Sequence, residues 1–226
     1  QSIRKDYEAL ACEVARRHAV YLVAGTFLVA VGVTRYRNRA LFVSPEGGLA
    51  FQDKLTLTGF ERAAGVIEPG DALKVFDTAF GRLAINVCYD VEFPLYARAQ
   101  VEAGANLILC PSCTDTPAGA NRVRIGAQAR ALENQCFVAV AVTAGEAAWS
   151  PALDVNAGCA AIYTPVDRGF PADGVAAMAR GDADFAVADV DFKVLAAQRR
   201  EGQVANVTDW PAQSRQSVVR ARVEQL

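Results

Sequence analysis

The order of apolar and polar positions divides the chain into helical and extended segments. Ile3, Tyr7, Leu10, Ala11, Val14 and Ala15 recur at the spacing of one helix face, so residues 2–18 are predicted to form an amphipathic helix. Val20 to Gly32 reads as a strand. Arg39 to Ser44 and Gly48 to Gln52 read as hairpin arms, because Pro45-Glu-Gly-Gly48 supplies turn chemistry between them. A second pair of strands, Ala72 to Asp77 and Arg82 to Cys88, turns at Phe80-Gly81. Pro94, followed by Leu-Tyr-Ala-Arg-Ala-Gln-Val-Glu-Ala and Gly104, predicts a helix with proline in its first turn and glycine past its end. Beyond it lie a strand from Asn106 to Cys110, a helix from Asn121 to Asn134, and strands over Phe137–Thr143, Gly158–Tyr163 and Ala186–Val190.

This order mixes hairpins with strand–helix–strand units, whereas a doubly wound sheet alternates strictly. The expected fold is therefore α/β, with two mixed sheets packed face to face and helices outside. At 226 residues, 52% hydrophobic and 21% charged, the chain suits a single domain over residues 1–226 with a substantial core. A formal charge of -2 leaves no electrostatic footprint for nucleic acid. The phosphate-cradling patterns G-x-G-x-x-G and G-x-x-x-x-G-K-[ST] are missing from the sequence. No apolar run has the length to cross a bilayer, and no signal-peptide pattern opens the residues given, so no membrane partner is expected.

Six cysteines stand at 12, 88, 110, 113, 136 and 159, several inside apolar runs, which favours reduced thiols in a cytoplasm. Cys110-Pro-Ser-Cys113 has C-x-x-C spacing, but a second Cys or His pair at metal spacing is missing. No metal is therefore expected, with Cys110 packed in its strand and Cys113 on a loop beside the pocket. Cys88 is the nucleophile candidate. It ends a strand in which Leu83, Ile85 and Val87 alternate, and it precedes a helix whose dipole would favour a thiolate. The single histidine, His18, lies on the first helix, so a lysine or a carboxylate must manage the thiol proton.

Four segments together resemble the nitrilase superfamily of carbon–nitrogen hydrolases. They are Gln52-Asp-Lys54-Leu-Thr-Leu-Thr-Gly-Phe-Glu61, Gly81-Arg-Leu-Ala-Ile-Asn-Val-Cys88-Tyr-Asp90, Pro111-Ser-Cys-Thr-Asp115 and Ala129-Arg130-Ala-Leu-Glu133-Asn134. The resemblance runs in order over residues 1–195. It implies a four-layer α-β-β-α sandwich and a Glu-Lys-Cys triad, with Cys88 as nucleophile, Lys54 as the triad lysine and Glu61 as an accessory carboxylate. The N–H of Tyr89 and the Lys54 ammonium would hold the oxyanion, and Cys113, Thr114 and Asp115 would line the substrate pocket. The superfamily's general base is a glutamate on a strand preceding the helix at residues 2–18. The chain starts at that helix, so its first strands are expected to be missing from the sequence given.

Other features modify the picture. Pro45-Glu46 is a turn and not the missing base. Glu92-Phe93-Pro94-Leu95 departs from the Arg-Phe-Pro-Glu run of many members, and Asp90 and Glu92 are expected to orient the turn or cap the helix. Arg130 and Glu133 suit a structural ion pair. Residues 198–226, with Arg199, Arg200, Arg215, Arg220 and Arg222, form a C-terminal extension that could cross to a partner in a homodimer or larger homo-oligomer, or fray. The reaction implied is hydrolysis of a small non-peptide amide through a Cys thioester, with no cofactor. Rival readings are a nitrilase proper, disfavoured because Cys88-Tyr89-Asp90 replaces a Cys-Trp-Glu run, a non-catalytic binding protein of the same fold, and a redox protein acting through Cys110 and Cys113.

Overall fold

The computed structural model describes residues 2–150, 153–179, 183–215 and 218–225. The chain opens with α1 (Ser2–His18) and an antiparallel meander of β1 (Leu22–Ala30), β2 (Tyr36–Val43) and β3 (Leu49–Asp53). The one-turn helix α2 (Gly59–Ala63) leads to the hairpin of β4 (Val75–Thr78) and β5 (Gly81–Ile85). A 3-10 turn over Cys88–Glu92 precedes α3 (Pro94–Glu102), β6 (Leu107–Ser112), α4 (Pro117–Asn134) and β7 (Phe137–Val142). A two-residue pair follows, β8 (Gly145–Glu146) with β9 (Val155–Asn156), then β10 (Ala161–Tyr163), β11 (Val175–Met178), α5 (Phe192–Glu201) and α6 (Asn206–Asp209).

Strand alternation explains why these elements stack in four layers. On β2, Ala40 and Phe42 face one way and meet Leu83 and Ile85 of β5, forming the core between the sheets. Leu41 and Val43 face the other way, onto Ala11, Cys12 and Ala15 of α1. The second sheet, ordered β11-β10-β7-β6-β5-β4, repeats the rule. Its Ala84, Ile108, Val138 and Val140 pack under Ala97 and Val101 of α3 and Val123, Ala127 and Ala131 of α4. The pairs β5–β6 and β6–β7 are parallel and the others antiparallel, so this sheet is mixed. The three-stranded sheet is antiparallel throughout its described residues.

Four expectations shift. The strand expected over Ala186–Val190 forms no ladder. Its residues alternate in exposure as a strand's would, but among the described residues they pair with no strand, and β11 forms the edge of the sheet beside β10. The α4 helix starts at Pro117 rather than near Asn121, because the Thr116 side chain accepts from Gly119 N and Pro117 sits in the first turn. The strand expected to reach Cys88 stops at Ile85, and the 3-10 turn separates Cys88 from α3, so α3 does not begin at the thiol. The C-terminal extension is not separate at its start, since Gln198 to Glu201 complete α5.

From there the chain docks on its own body. Gln135 donates from Nε2 to Val204 O and accepts at Oε1 from Val207 N, while Trp210 Nε1 donates to Glu133 O. The Arg98 guanidinium lies 5.0 Å from the Trp210 ring centre. Arg130 Nε lies 2.8 Å from Glu133 Oε1 as the i, i+3 spacing suggested, although the angle is too poor for a hydrogen bond. Among the described residues no helix is both long and apolar enough to cross a membrane.

Phe42 carries the inter-sheet core, stacked between Tyr21 at 5.8 Å and Phe76 at 5.1 Å. Phe42→Ala is expected to cost about 3–5 kcal/mol of unfolding free energy, read from urea titration.

Candidate active site

Lys54 sits where β3 ends, and its backbone is pinned on both sides. Its N–H donates to Asn38 O at 2.8 Å and its carbonyl accepts from Gly70 N at 2.7 Å. The side chain is only 4% exposed, a burial that an ammonium tolerates only when paired. Its partner is Glu61, with Nζ 2.7 Å from Oε2. A straight strand could not bring together residues seven apart, and the structure solves this with a capping box. Thr58 Oγ1 accepts from Glu61 N, while Glu61 Oε2 accepts from Thr58 N at 2.8 Å and Thr58 Oγ1 at 3.0 Å. Asn38 Nδ2 donates to the other carboxylate oxygen at 3.1 Å. Burial pushes the Glu61 carboxyl up, but the bond and charge of Lys54, with the Thr58 and Asn38 donors, outweigh it and hold the group below its ordinary range.

Cys88 approaches from the other sheet. Asn86 N still pairs with Leu109 O across the sheet, and Val87 is buried. The chain then breaks from the strand with Cys88 at φ +51°, a left-handed conformation that costs a non-glycine residue free energy. This leaves the thiol half-buried, with Sγ 3.5 Å from Cys113 O. Tyr89 is the second residue of the 3-10 turn, where a backbone N–H has no acceptor within the turn. Its ring packs edge-on against Phe93 at 4.9 Å. Asp90 carries the turn to the Lys54 segment, accepting from Leu55 N at 3.0 Å and Thr56 N at 2.7 Å. Gly126 of α4 packs so closely beneath that a Cβ there would lie 3.2 Å from Val91 O.

The third expected group divides. Cys113 is exposed and donates to Asn156 Oδ1 at 3.2 Å. Partial burial raises its thiol pKa, Cys88 and Asp115 add to the rise, and Thr143 and Lys54 oppose it, so Cys88, Lys54 and Asp115 all lie within electrostatic reach of Cys113. Thr114 does not join them as expected. Its hydroxyl donates to Ala157 O at 2.6 Å, and it lines a separate cavity of about 300 Å³ with Val142, Cys159 and Tyr163, bordered by none of Cys88, Lys54 and Glu61. Asp115 is exposed and makes no hydrogen bond among the described residues. Glu92 faces Arg122 of α4 at 3.7 Å, and His18 is exposed at the end of α1.

Two contributors escaped the sequence reading. Thr58 carried a legible signal, the T-x-x-E spacing of a capping box. Asn38 carried none, because its role follows only from the β2–β3 pairing. Among the described residues no group of three or more His, Cys, Asp or Glu side chains could hold a metal ion.

Glu61→Gln leaves a buried ammonium without its counter-charge and is expected to cost about 3–5 kcal/mol. Thr58→Ala removes only the cap, at about 1 kcal/mol. The Glu61 contribution is full above the unfolded carboxylate pKa of about 4.3 and fades as pH falls through the lower folded value. Urea titrations at neutral pH and near pH 3 should therefore show the Glu61→Gln deficit shrinking on acidification.

The sequence matches the family Carbon-nitrogen hydrolase over residues 6–165. It is 34% identical over 206 residues to the probable hydrolase YhcX of Bacillus subtilis, covering 91% of this chain and 40% of that protein. It is 28% identical over 202 residues to the omega-amidase NIT2 of Bos taurus, covering 84% of this chain and 68% of that protein. The fold superposes on the Caenorhabditis elegans NitFhit protein with a TM-score of 0.74 at 25% identity, over 95% of this chain and 51% of that one. A carbon-nitrogen hydrolase from Helicobacter pylori shares the fold at a TM-score of 0.77 and 17% identity, over 96% of this chain and 75% of that one. The family match runs through both the lysine and the cysteine segments and covers more than half of the chain, so the chain belongs to the carbon–nitrogen hydrolase family.

Proposed function

We propose that these residues form the nucleophile and oxyanion side of an amidase centre acting on a small non-peptide amide. The observation that carries the reading is the buried Lys54–Glu61 pair, tied through the Asp90 contacts to the turn that presents Cys88. Structure built only for stability has little use for a desolvated cation in a segment tied to the turn that holds a thiol in left-handed backbone.

In this reading the Cys88 sulfur attacks the amide carbon. The thiol proton passes to the general-base carboxylate, which the family resemblance assigns to a strand before α1. Charge develops on the carbonyl oxygen, and Lys54 Nζ with the Tyr89 N–H stabilises it. Collapse breaks the C–N bond, the base returns its proton to the leaving amine, and an acyl thioester remains on Cys88. Water, deprotonated by the same carboxylate, cleaves the thioester to release the acid and restore the thiol. Glu61 takes no proton in this scheme; it keeps Lys54 charged. The omega-amidase relatives support an amide over a nitrile as substrate.

Intact-protein mass spectra of the full-length protein, acid-quenched during turnover of a panel of small amides, test the scheme. An acyl adduct is expected on the parent and not on Cys88→Ala, and its mass identifies the acyl group. Lys54→Met, assayed on the folded fraction, should lower kcat by about 10²–10³, the usual cost of losing one oxyanion donor. An adduct that survives in Cys88→Ala would sink the reading.

A further inference from the structure

The lysine and the nucleophile come from different sheets, and their separation must be fixed to well under an ångström for attack and charge stabilisation to coincide. Lys54 lies at the end of β3 in the three-stranded sheet, and Cys88 lies beyond β5 in the six-stranded one. The apolar contact between the sheets sets the distance between layers, but side chains that pack without directional bonds do not fix register well. A polar clamp between the two segments would.

We infer that Asp90 is a positioning residue that locks the Lys54 segment to the Cys88 turn. The inference rests on the roles proposed above for Cys88 and Lys54. Asp90 lies two residues after Cys88 and is 1% exposed. Its Oδ2 accepts from Leu55 N at 3.0 Å and its Oδ1 from Thr56 N at 2.7 Å, the two amides that directly follow Lys54. Both carboxylate oxygens are therefore committed to backbone of the opposite segment. The Asp90 backbone is fixed as well, its N–H donating to Val87 O at 3.1 Å and its carbonyl accepting from Phe93 N at 3.1 Å. A second tie, between Thr56 Oγ1 and Tyr96 Oη at 2.9 Å, joins the same loop to α3. Among the described residues no arginine or lysine bonds the carboxylate, so its charge serves the two amides. Such charge-assisted bonds are about twice as strong as neutral ones.

The clamp depends on Asp90 being ionised. Burial pushes its carboxyl up to about 6, against the Leu55 and Thr56 amides, the Lys54 charge and the Val87 contact, which lower it. The buried Cys110 thiol also feels the Asp90 charge, which helps to raise its pKa. Protonation turns one acceptor oxygen into a hydroxyl and removes the charge from both bonds, so activity should rise with pH as Asp90 ionises.

The test compares pH profiles of kcat and KM for the full-length protein and its Asp90→Asn variant, with Cys88→Ala as control. Asparagine matches the shape of aspartate but offers one acceptor oxygen to two amides and never ionises. The parent is expected to show an acid limb near pH 6. Asp90→Asn should lose that limb and lower kcat by about 10–100-fold, with KM changed less than about twofold. A variant that keeps the limb overturns the inference, even if it is less active or less stable. Turnover in Cys88→Ala would instead sink the underlying amidase reading. Should Asp90→Asn fail to fold, the parent still decides. The Leu55 and Thr56 amides of the parent should be protected from hydrogen exchange above about pH 7, and exchange of both as fast as unbonded amides refutes the clamp.

Discussion

Everything at the centre of this fold answers to one electrostatic constraint, the requirement that a lysine with almost no solvent access keep its charge. Moving an ammonium from water into protein costs several kcal/mol even after relaxation, and only a well-placed counter-charge with further donors offsets it. Glu61 meets that demand, and α2 exists in order to place it. A helix of five residues has no stability of its own. It forms because the Thr58 capping box, the Lys54 ammonium and the Asn38 amide converge on one carboxylate. The loop between β3 and β4 is therefore organised by a charge rather than by a core.

The segment before Lys54 shows the same economy. Asp53 binds the Arg39 guanidinium through both oxygens at 2.6 and 2.9 Å. Gln52 is fully engaged, donating to Asp53 O and Ala72 O at 2.8 Å and accepting from Lys74 N. Phe51 lies between the cations of Arg39 and Lys74, at 3.5 and 3.4 Å from its ring centre. At the end of β3 a polar network adds to the ladder pairing of residues 51–53 and leads directly into Lys54. Precision in the lysine's place thus begins three residues upstream of it.

How much of this the sequence disclosed follows from the range of the interactions. Helix α1, the two hairpins and the strands β6 and β7 were legible because their apolar periodicity and turn residues act locally. The α2 helix was hidden, being one turn long with no apolar face, though its T-x-x-E spacing stood in plain view. Ala186–Val190 misled for the opposite reason. Its alternation is that of a strand, but alternation reports only which positions are exposed, and no ladder among the described residues includes these ones. Among the site residues, Lys54, Glu61 and Cys88 could be named through motif resemblance, whereas Asp90 drew notice only as a turn residue. Its bonds to Leu55 and Thr56 span more than thirty positions and leave no periodic trace. The same holds for Thr114, whose commitment to Ala157 depends on a loop pairing that no spacing announces.

Two buried acids within this one site carry opposite shifts, and the contrast shows how the fold assigns roles. Glu61 and Asp90 are both desolvated, and both accept backbone N–H bonds. Glu61 also touches the ammonium and falls below its ordinary range, so it is an anion at neutral pH and gives up its charge only in acid. Asp90 feels Lys54 only through space, burial wins, and its carboxyl rises to about 6. A single cation between two acids can satisfy one by direct contact, and it leaves the other poised to titrate. The difference lies in direct contact with the ammonium, a further donor from Asn38 and shallower burial. It makes Glu61 the counter-charge of Lys54 and, in the inference drawn above, Asp90 the group through which acidity reaches the geometry of the site.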